Sequence, residues 1–252
     1  MCVFNRIKNV FRPKTKPFVE FVTTSDYVRE TYPIEEARKS LPQAFSNIPN
    51  RDLRKDAKQT RTAKRCPGLF QYTTLGFIQR LWVDVVFESS THDDKISVWY
   101  PTTTDQMKAW GIHQKPVGFM QADSFGNFMP FQTNPNVNNT VVKFQSPWHF
   151  RLHPDYALMV QPIFYDFNPN FTAVPGIIDQ NYADILNVQC LWHPTEHTTF
   201  LPAGTPLFHI IPIRREHLDY TIRSTTKEDQ KEQQKIQWEQ KRFFNHVFKQ
   251  RL

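Results

Sequence analysis

The stretch that most constrains the fold is 141–213, from VVKFQSPWHF to AGTPLFHIIPI. Its apolar, β-branched and aromatic segments are short and are cut by Pro, Gly and Asn, the pattern of strands joined by turns. YALMVQPIF (156–164) is nearly continuous apolar, as a strand covered on both faces requires. VVKFQS (141–146) alternates, and PWHF (147–150) reads as an aromatic corner. FNPNFTAVPG (167–176) reads as a connection. VPGIID (174–179), DILNVQCLW (184–192) and PLFHIIPI (206–213) supply further strands, the last fed by the turn at Ala203–Leu207. Proline outnumbers glycine nineteen to seven. That suits many strands with rigid turns and argues against a doubly wound fold with Gly-rich phosphate loops.

Strands in 141–213 need partners, and the chain before them supplies candidates. FVEFVT (18–23) alternates as an edge strand does. IEEARKS (34–40) reads as a short helix ending before Leu41-Pro42. CPGLFQYTTLGF (66–77) reads as a short helix with Pro67 in its first turn and Gly76 at its C-terminal cap. From Ile78 the period becomes two, with Leu81, Val83, Val85 and Phe87 on one face and Trp82, Asp84 and Val86 on the other. With Ile96–Tyr100 this predicts a hairpin around SSTHDDK (89–95). TTTDQMKAW (102–110) predicts a helix-like turn, and PVGFMQAD (116–123) and GNFMPFQ (126–132) predict short strands.

The net charge of +7 is unevenly placed. Residues 1–17 carry five basic and no acidic side chains, 51–65 seven and two, and 214–252 ten and six, so the rest of the chain carries net −7. This is an acidic β body with basic arms, which either touch an acidic surface or serve solubility. Residues 3–11 place Val3, Phe4, Ile7, Val10 and Phe11 at helical spacing among basic residues. Arg51, Arg54, Lys55, Lys58, Arg61, Lys64 and Arg65 form a basic patch with no aromatic interleaved. It therefore supports non-specific phosphate contact at most, or an exposed linker. After Ile213 the composition shifts to a C-terminal helix from about Thr226, with Ser224 and Thr225 as candidate caps. Its apolar positions, Ile236, Phe243, Phe244, Val247 and Phe248, suit packing on the body or on another subunit. Cys2, Cys66 and Cys190 lack CxxC spacing, which excludes a zinc knuckle and points to reduced thiols. No apolar run reaches the ~18 residues of a membrane span, and the first residues read as lacking a secretory leader.

Two histidine motifs invite chemistry. His153-Pro154-Asp155 is an HxD triplet. On a double-stranded β-helix, two histidines and a carboxylate bind Fe(II) and leave positions open for a 2-oxoglutarate-type cosubstrate and oxygen. His209 is the candidate distal ligand, with Arg214, Arg215 or Arg223 as the dicarboxylate's cation. The competing reading is a hydrogen-bonded turn histidine, since HPD is a common turn. His193-Pro-Thr-Glu196-His197 matches the inverted zinc-protease order, but Pro194 and two Thr between two strands favour a loop. No GxSxG, P-loop or GxGxxG occurs, and Cys190 in an apolar strand reads as an inert buried thiol.

Thr62–Gly68, Gly76, Trp82 and Asp84 form one set of residues carrying a resemblance. Pro147-Trp148, Pro154–Tyr156, Pro175–Asp179, Ala203–Leu207 and Ile211–Glu216 form the other. In this order they resemble a β-rich domain family of tailed phages, chiefly cyanophages, and bacteria, over roughly 20–220. The resemblance implies a compact β fold and a phage or bacterial source. It therefore implies a place in the host cytoplasm or virion, and no assigned activity. The AGTPL turn also resembles the closing turn of cupins and of the deoxyuridine triphosphatase/deoxycytidine deaminase jelly rolls. Those enzymes' catalytic motifs are not recognisable, so this second resemblance implies architecture alone.

The expectation is thus a mainly β chain. Residues 1–65 form a basic arm with short helices and one edge strand, 66–213 a jelly-roll-like antiparallel β-sandwich, and 214–252 a helical tail. Functionally it reads as a non-enzymatic phage accessory protein without cofactor, in a binding or virion/assembly role. Its partner would be a phage structural or host protein, with non-specific nucleic acid as a further class and oligomerisation through the C-terminal helix. The alternative is the Fe(II)/2-oxoglutarate-type oxygenase built on His153, Asp155 and His209.

Overall fold

The computed structural model describes residues 19–41, 43–49, 62–89, 96–121, 140–163, 168–179, 184–193, 197–216 and 219–249. They form two compact units, the first ending at Arg215 and the second beginning at Glu216.

The first unit is mainly β, a jelly-roll-like sandwich of antiparallel sheets. Its strands are β1 (Val19–Val22), β2 (Glu35–Glu36), β3 (Phe77–Arg80), β4 (Val85–Ser89), β5 (Ile96–Trp99), β6 (Val117–Gln121) and β7 (Thr140–Phe144). They continue with β8 (His149–Leu152), β9 (Tyr156–Gln161), β10 (Phe171–Ala173), β11 (Gly176–Ile178), β12 (Val188–Trp192), β13 (Thr198–Leu201) and β14 (Pro206–Arg214). The sheets run β11-β9-β14-β3-β2, β10-β12-β7-β6, β13-β4-β5 and β1-β8. Helices α1 (Asp26–Thr31), α2 (Gln43–Ser46), α3 (Pro67–Thr74) and α4 (Thr104–Ala109) are short.

One core joins the sheets. Phe87, Phe144, Phe150, Leu158, Trp192, Phe208 and Ile210 are all at most 1% exposed within it. Phe87 packs on Trp192 with ring centroids 4.2 Å apart, and Phe144 on Phe171 at 5.4 Å. Each such aromatic burial stabilises by roughly 1.5–3 kcal/mol.

The continuous strand expected from Ile78 to Phe87 is broken at 81–84, where the chain turns a corner. Its partner turns with it. Leu81 N–H donates to the Thr205 carbonyl (2.8 Å), Gly204 N–H to the Leu81 carbonyl (2.7 Å) and Ala203 N–H to Asp84 Oδ1 (2.7 Å). The pair β3/β14 thus passes into the pair β4/β13 without loss of partners, changing sheets on the way. Leu81, Trp82 and Val83 are buried at this corner, which hid the break from a period-two reading. A bulge between Pro206 and Phe208 lets the consecutive Leu207 and Phe208 both enter the core.

Further expectations are corrected. The segment 34–40 forms β2 and a 3-10 turn (Ala37–Lys39), because Glu35 and Glu36 pair with Ile78 and Phe77. Before it the chain forms α1, capped by Ser25 Oγ, which accepts from the Val28 N–H (3.1 Å). The edge strand expected over 18–23 is present as β1, and its partner is β8, into which PWHF leads. The strand expected over 126–132 and the helix expected over 3–11 lie outside the described residues.

In the second unit α5 spans Lys227–Lys249. Its cap is Thr226. Asp229 N–H donates to Thr226 Oγ1 (3.2 Å) while Thr226 N–H donates to Asp229 Oδ2 (2.7 Å), a reciprocal box one residue beyond the expected caps. Among the described residues no helix is long and apolar enough to cross a membrane.

Candidate functional site

His153 and Asp155 lie together on an exposed turn. Asp155 N–H donates to His153 Nδ1 (3.3 Å), and the Tyr156 N–H donates to the His153 carbonyl (2.9 Å). This is the hydrogen-bonded turn histidine that competed with the ligand reading. His209 is elsewhere. It pairs with Gln161 in β9, whereas Tyr156 pairs with Arg214, and Arg215 N–H donates to the Asp155 carbonyl (2.7 Å). Asp155 therefore sits six residues along β14 from His209, roughly 20 Å at the rise of a strand. Side chains do not close that gap to the ~2 Å of a metal bond.

His209 is 2% exposed and its Nε2–H donates to the carbonyl of Leu75, the C-cap of α3 (2.6 Å). Burial pushes its imidazole below the ordinary histidine value, and the bond to Leu75 opposes that shift without reversing it. Two of the cations proposed to hold a dicarboxylate are also engaged. Arg215 bonds Asp179, and Arg223 Nη2 donates to Asp229 Oδ1 (2.7 Å) in the second unit. Among the described residues no three His, Cys, Asp or Glu side chains gather to hold a metal ion. The facial triad is corrected on this register: His153, Asp155 and His209 do not fit Fe(II), and no step through it is derived.

The second motif is divided between two anchoring tasks. His193 Nε2 lies 2.8 Å from Thr172 Oγ1, and His197 Nδ1–H donates to the Ser89 carbonyl (2.5 Å), extending the β4/β13 pairing. Pro194–Glu196 lie outside the described residues, as do Arg51, Arg54, Lys55, Lys58 and Arg61 of the basic patch. Of the rest, Lys64 Nζ donates to the Ser46 carbonyl (2.8 Å), and Arg65 ends a 3-10 turn. Cys190 is fully buried, and that burial pushes its thiol well above the ordinary range, which keeps it inert.

Two surface features escaped sequence reasoning because strand register creates them. The first is on the three-stranded sheet. Phe200 pairs with Val86, and Val86 with Trp99, so the three side chains form one row across the sheet. Phe200 is 54% and Trp99 47% exposed, while Val86 between them is 5% exposed. At the usual strand spacing the two aromatic positions stand roughly 10 Å apart. The next row on that face is polar, Thr198–Glu88–Ser97. Glu88 Oε1 accepts from Trp99 Nε1–H (3.2 Å) and Oε2 from Ser97 Oγ–H (3.5 Å), so the indole is oriented before anything binds.

The second feature is a cleft of about 350 Å³ beside the five-stranded sheet, lined by Lys39, Ser40, Leu41, Ile78, Arg80, Ile163 and Pro206. Arg80 Nε donates to Glu35 Oε2 (3.3 Å) and Nη1 to the Gly204 carbonyl (3.0 Å). Ser40 Oγ–H also donates to Glu35 Oε2 (2.7 Å). The Ser40 bond and then the Arg80 cation hold the Glu35 carboxyl below its ordinary value against the opposing effect of burial.

No protein-family model matches the chain, and no curated protein matches it. Among solved structures, the native dUTPase of EIAV aligns with 83% of this chain and 98% of its own, at 10% identity and a TM-score of 0.34. A likeness of that size carries no argument, and the fold class rests on the sheets described above.

Proposed function

We propose that this chain is a non-enzymatic accessory protein that docks on a partner protein through the row Phe200–Val86–Trp99. The observation that carries the reading is that row. It places two large aromatics, about half exposed, on regular sheet, beside polar groups already satisfied by one another. An apolar centre with a polar rim is the anatomy of a docking surface, and aromatic anchors dominate its energetics. The occupant is a protein with an aliphatic side chain that seats on Val86 between the two rings. Its surface is acidic, to complement the net +5 carried by each of 1–17 and 51–65. On the tailed-phage resemblance, the partner in this reading is a phage structural or host protein.

On this reading the chain is phage-encoded, and the test is incorporation of the Trp99→Ser/Phe200→Ser double variant into that phage's particles, counted by mass spectrometry of purified virions. The expected result is a drop of about tenfold or more at unchanged expression. Equal incorporation of the variant, or absence of the wild-type chain from particles and their assembly intermediates, overturns the proposal.

A further inference from the structure

The cleft beside the five-stranded sheet has the parts of a small-molecule site, and it is separate from the aromatic row. Its volume, about 350 Å³, falls at the lower end of the range that encloses small ligands. Its lining divides by chemistry. Leu41, Ile78, Ile163 and Pro206 are apolar, and Lys39, Ser40 and Arg80 are polar.

Arg80 is the preorganised element. Glu35 Oε2 holds its Nε and the Gly204 carbonyl its Nη1, so the guanidinium plane is pinned at two points. Nη2 makes no hydrogen bond with the described residues. The second anchor exists because Gly204 sits at φ +87, a left-handed backbone that turns its carbonyl back toward β3. A planar donor held in place loses little entropy when it captures an anion.

Charge narrows the ligand. The cleft's lining carries two cations, Arg80 and Lys39, with Glu35 bonded to Arg80. Glu36 is held by Arg38 (2.5 Å) and Lys39 (3.5 Å), Glu35 by Arg80. Two lining cations against the Glu35 carboxylate leave one net positive charge at the cleft, with Glu36 outside the lining balanced by Arg38, which favours a monoanion over a dianion. We propose that this cleft binds a monocarboxylate with a compact apolar body. The carboxylate lies between Arg80 and Lys39, and the body lies on Leu41, Ile78, Ile163 and Pro206.

The experiment is an NMR titration of the full chain with benzoate, followed at the Arg80 side-chain Nε–H and the backbone amides of Ser40, Arg80 and Thr205. Benzoate is expected to shift these signals saturably, with dissociation in about the millimolar range. Lys39→Gln, at an exposed position, weakens it about threefold. Arg80→Lys, which keeps the charge and loses the fork, weakens it about tenfold or more. Phenyl phosphate binds more weakly than benzoate at pH 7.5, and benzyl alcohol does not bind. The proposal is overturned if benzoate leaves these signals unmoved, if both variants bind it as the wild type does, or if benzyl alcohol binds equally. Tighter binding of phenyl phosphate overturns the choice of a monoanion. None of these outcomes bears on docking through Trp99 and Phe200, which lie on another sheet.

Discussion

On the five-stranded sheet, one face carries Ile78, His209, Gln161 and Ile211, and α3 lies over part of it: the Tyr72 ring meets His209 edge-on at 5.1 Å and Leu75 accepts its Nε2–H. On the three-stranded sheet, the outer face carries Val86, Trp99 and Phe200, and both aromatics stay about half exposed. The two surfaces are built from the same antiparallel pairing, and each carries apolar side chains. What separates them is a backbone device. Gly76, at φ +79, joins α3 to β3 so tightly that a Cβ there would stand 2.2 Å from the Ile210 carbonyl oxygen. Covering the first face required that close approach and a satisfied partner for a buried imidazole. The second face made no such concession, and its polar groups are satisfied at the surface instead. Exposure of Trp99 and Phe200 is thus not imposed by sheet chemistry, which supports the docking role proposed for that row.

The sharpest way to break this contrast is Gly76→Ala. It adds a Cβ against backbone rather than against a movable side chain, at a φ that L residues avoid. The expected loss is more than about 3 kcal/mol, measured by urea unfolding. A loss below about 1 kcal/mol would show that α3 lifts off at little cost.

Gly76 also shows what the sequence made legible. The helix with Pro67 in its first turn and Gly76 beyond its end was readable from punctuation alone, as were β9, β12, β14 and α5 from their apolar runs and composition. The corner at 81–84 was not, because Leu81, Trp82 and Val83 keep the apolar pattern going through a place where the strand stops. α1 was missed although Ser25 and Asp26 signal a helix start, since six residues give too little periodicity. The candidate sites were least legible. Glu35, Arg80 and Gly204 are brought together across 45 and 124 residues by pairing register, which no local pattern encodes. His153 and His209 show the converse: a familiar spacing of residue types that register keeps apart.

A second test acts on the covered face alone. The folded chain holds His209 below the unfolded value of about 6.5, so between those two values the unfolded chain binds the extra proton. The neutral imidazole's contribution is fully present above about pH 6.5 and is lost as pH falls through the folded value. The urea midpoint is expected to drop between about pH 7.5 and 5.5 in the wild type, and to drop less in His209→Gln, which keeps a donor for Leu75. Equal pH dependence in the two proteins would mean that His209 is not the group responsible.

The smallest expected effect is on the bare face. Trp99→Ser/Phe200→Ser should change folding stability by no more than about 0.5 kcal/mol per site, because neither ring fills the core. A loss of several kcal/mol in the urea midpoint analysis would turn the aromatic row from a proposed docking surface into a structural one.

The place of β14 in its sheet has a consequence for the order of events during synthesis. This last strand of the body is also a central one, lying between β3 and β9. His209 must meet the carbonyl of Leu75, 134 residues upstream. At ribosomal rates of about 5–20 residues per second, α3 and β3 wait roughly 7–27 s before their covering partner exists. Once β9 is made, for about the last 48 residues of that interval, the apolar residues of β3 and β9 have a vacant strand position between them. A nascent chain in this state is open to edge-to-edge pairing with its neighbours on the same message. Expression slowed by rare codons between 161 and 206 would lengthen that exposure, and the yield of folded protein would register it.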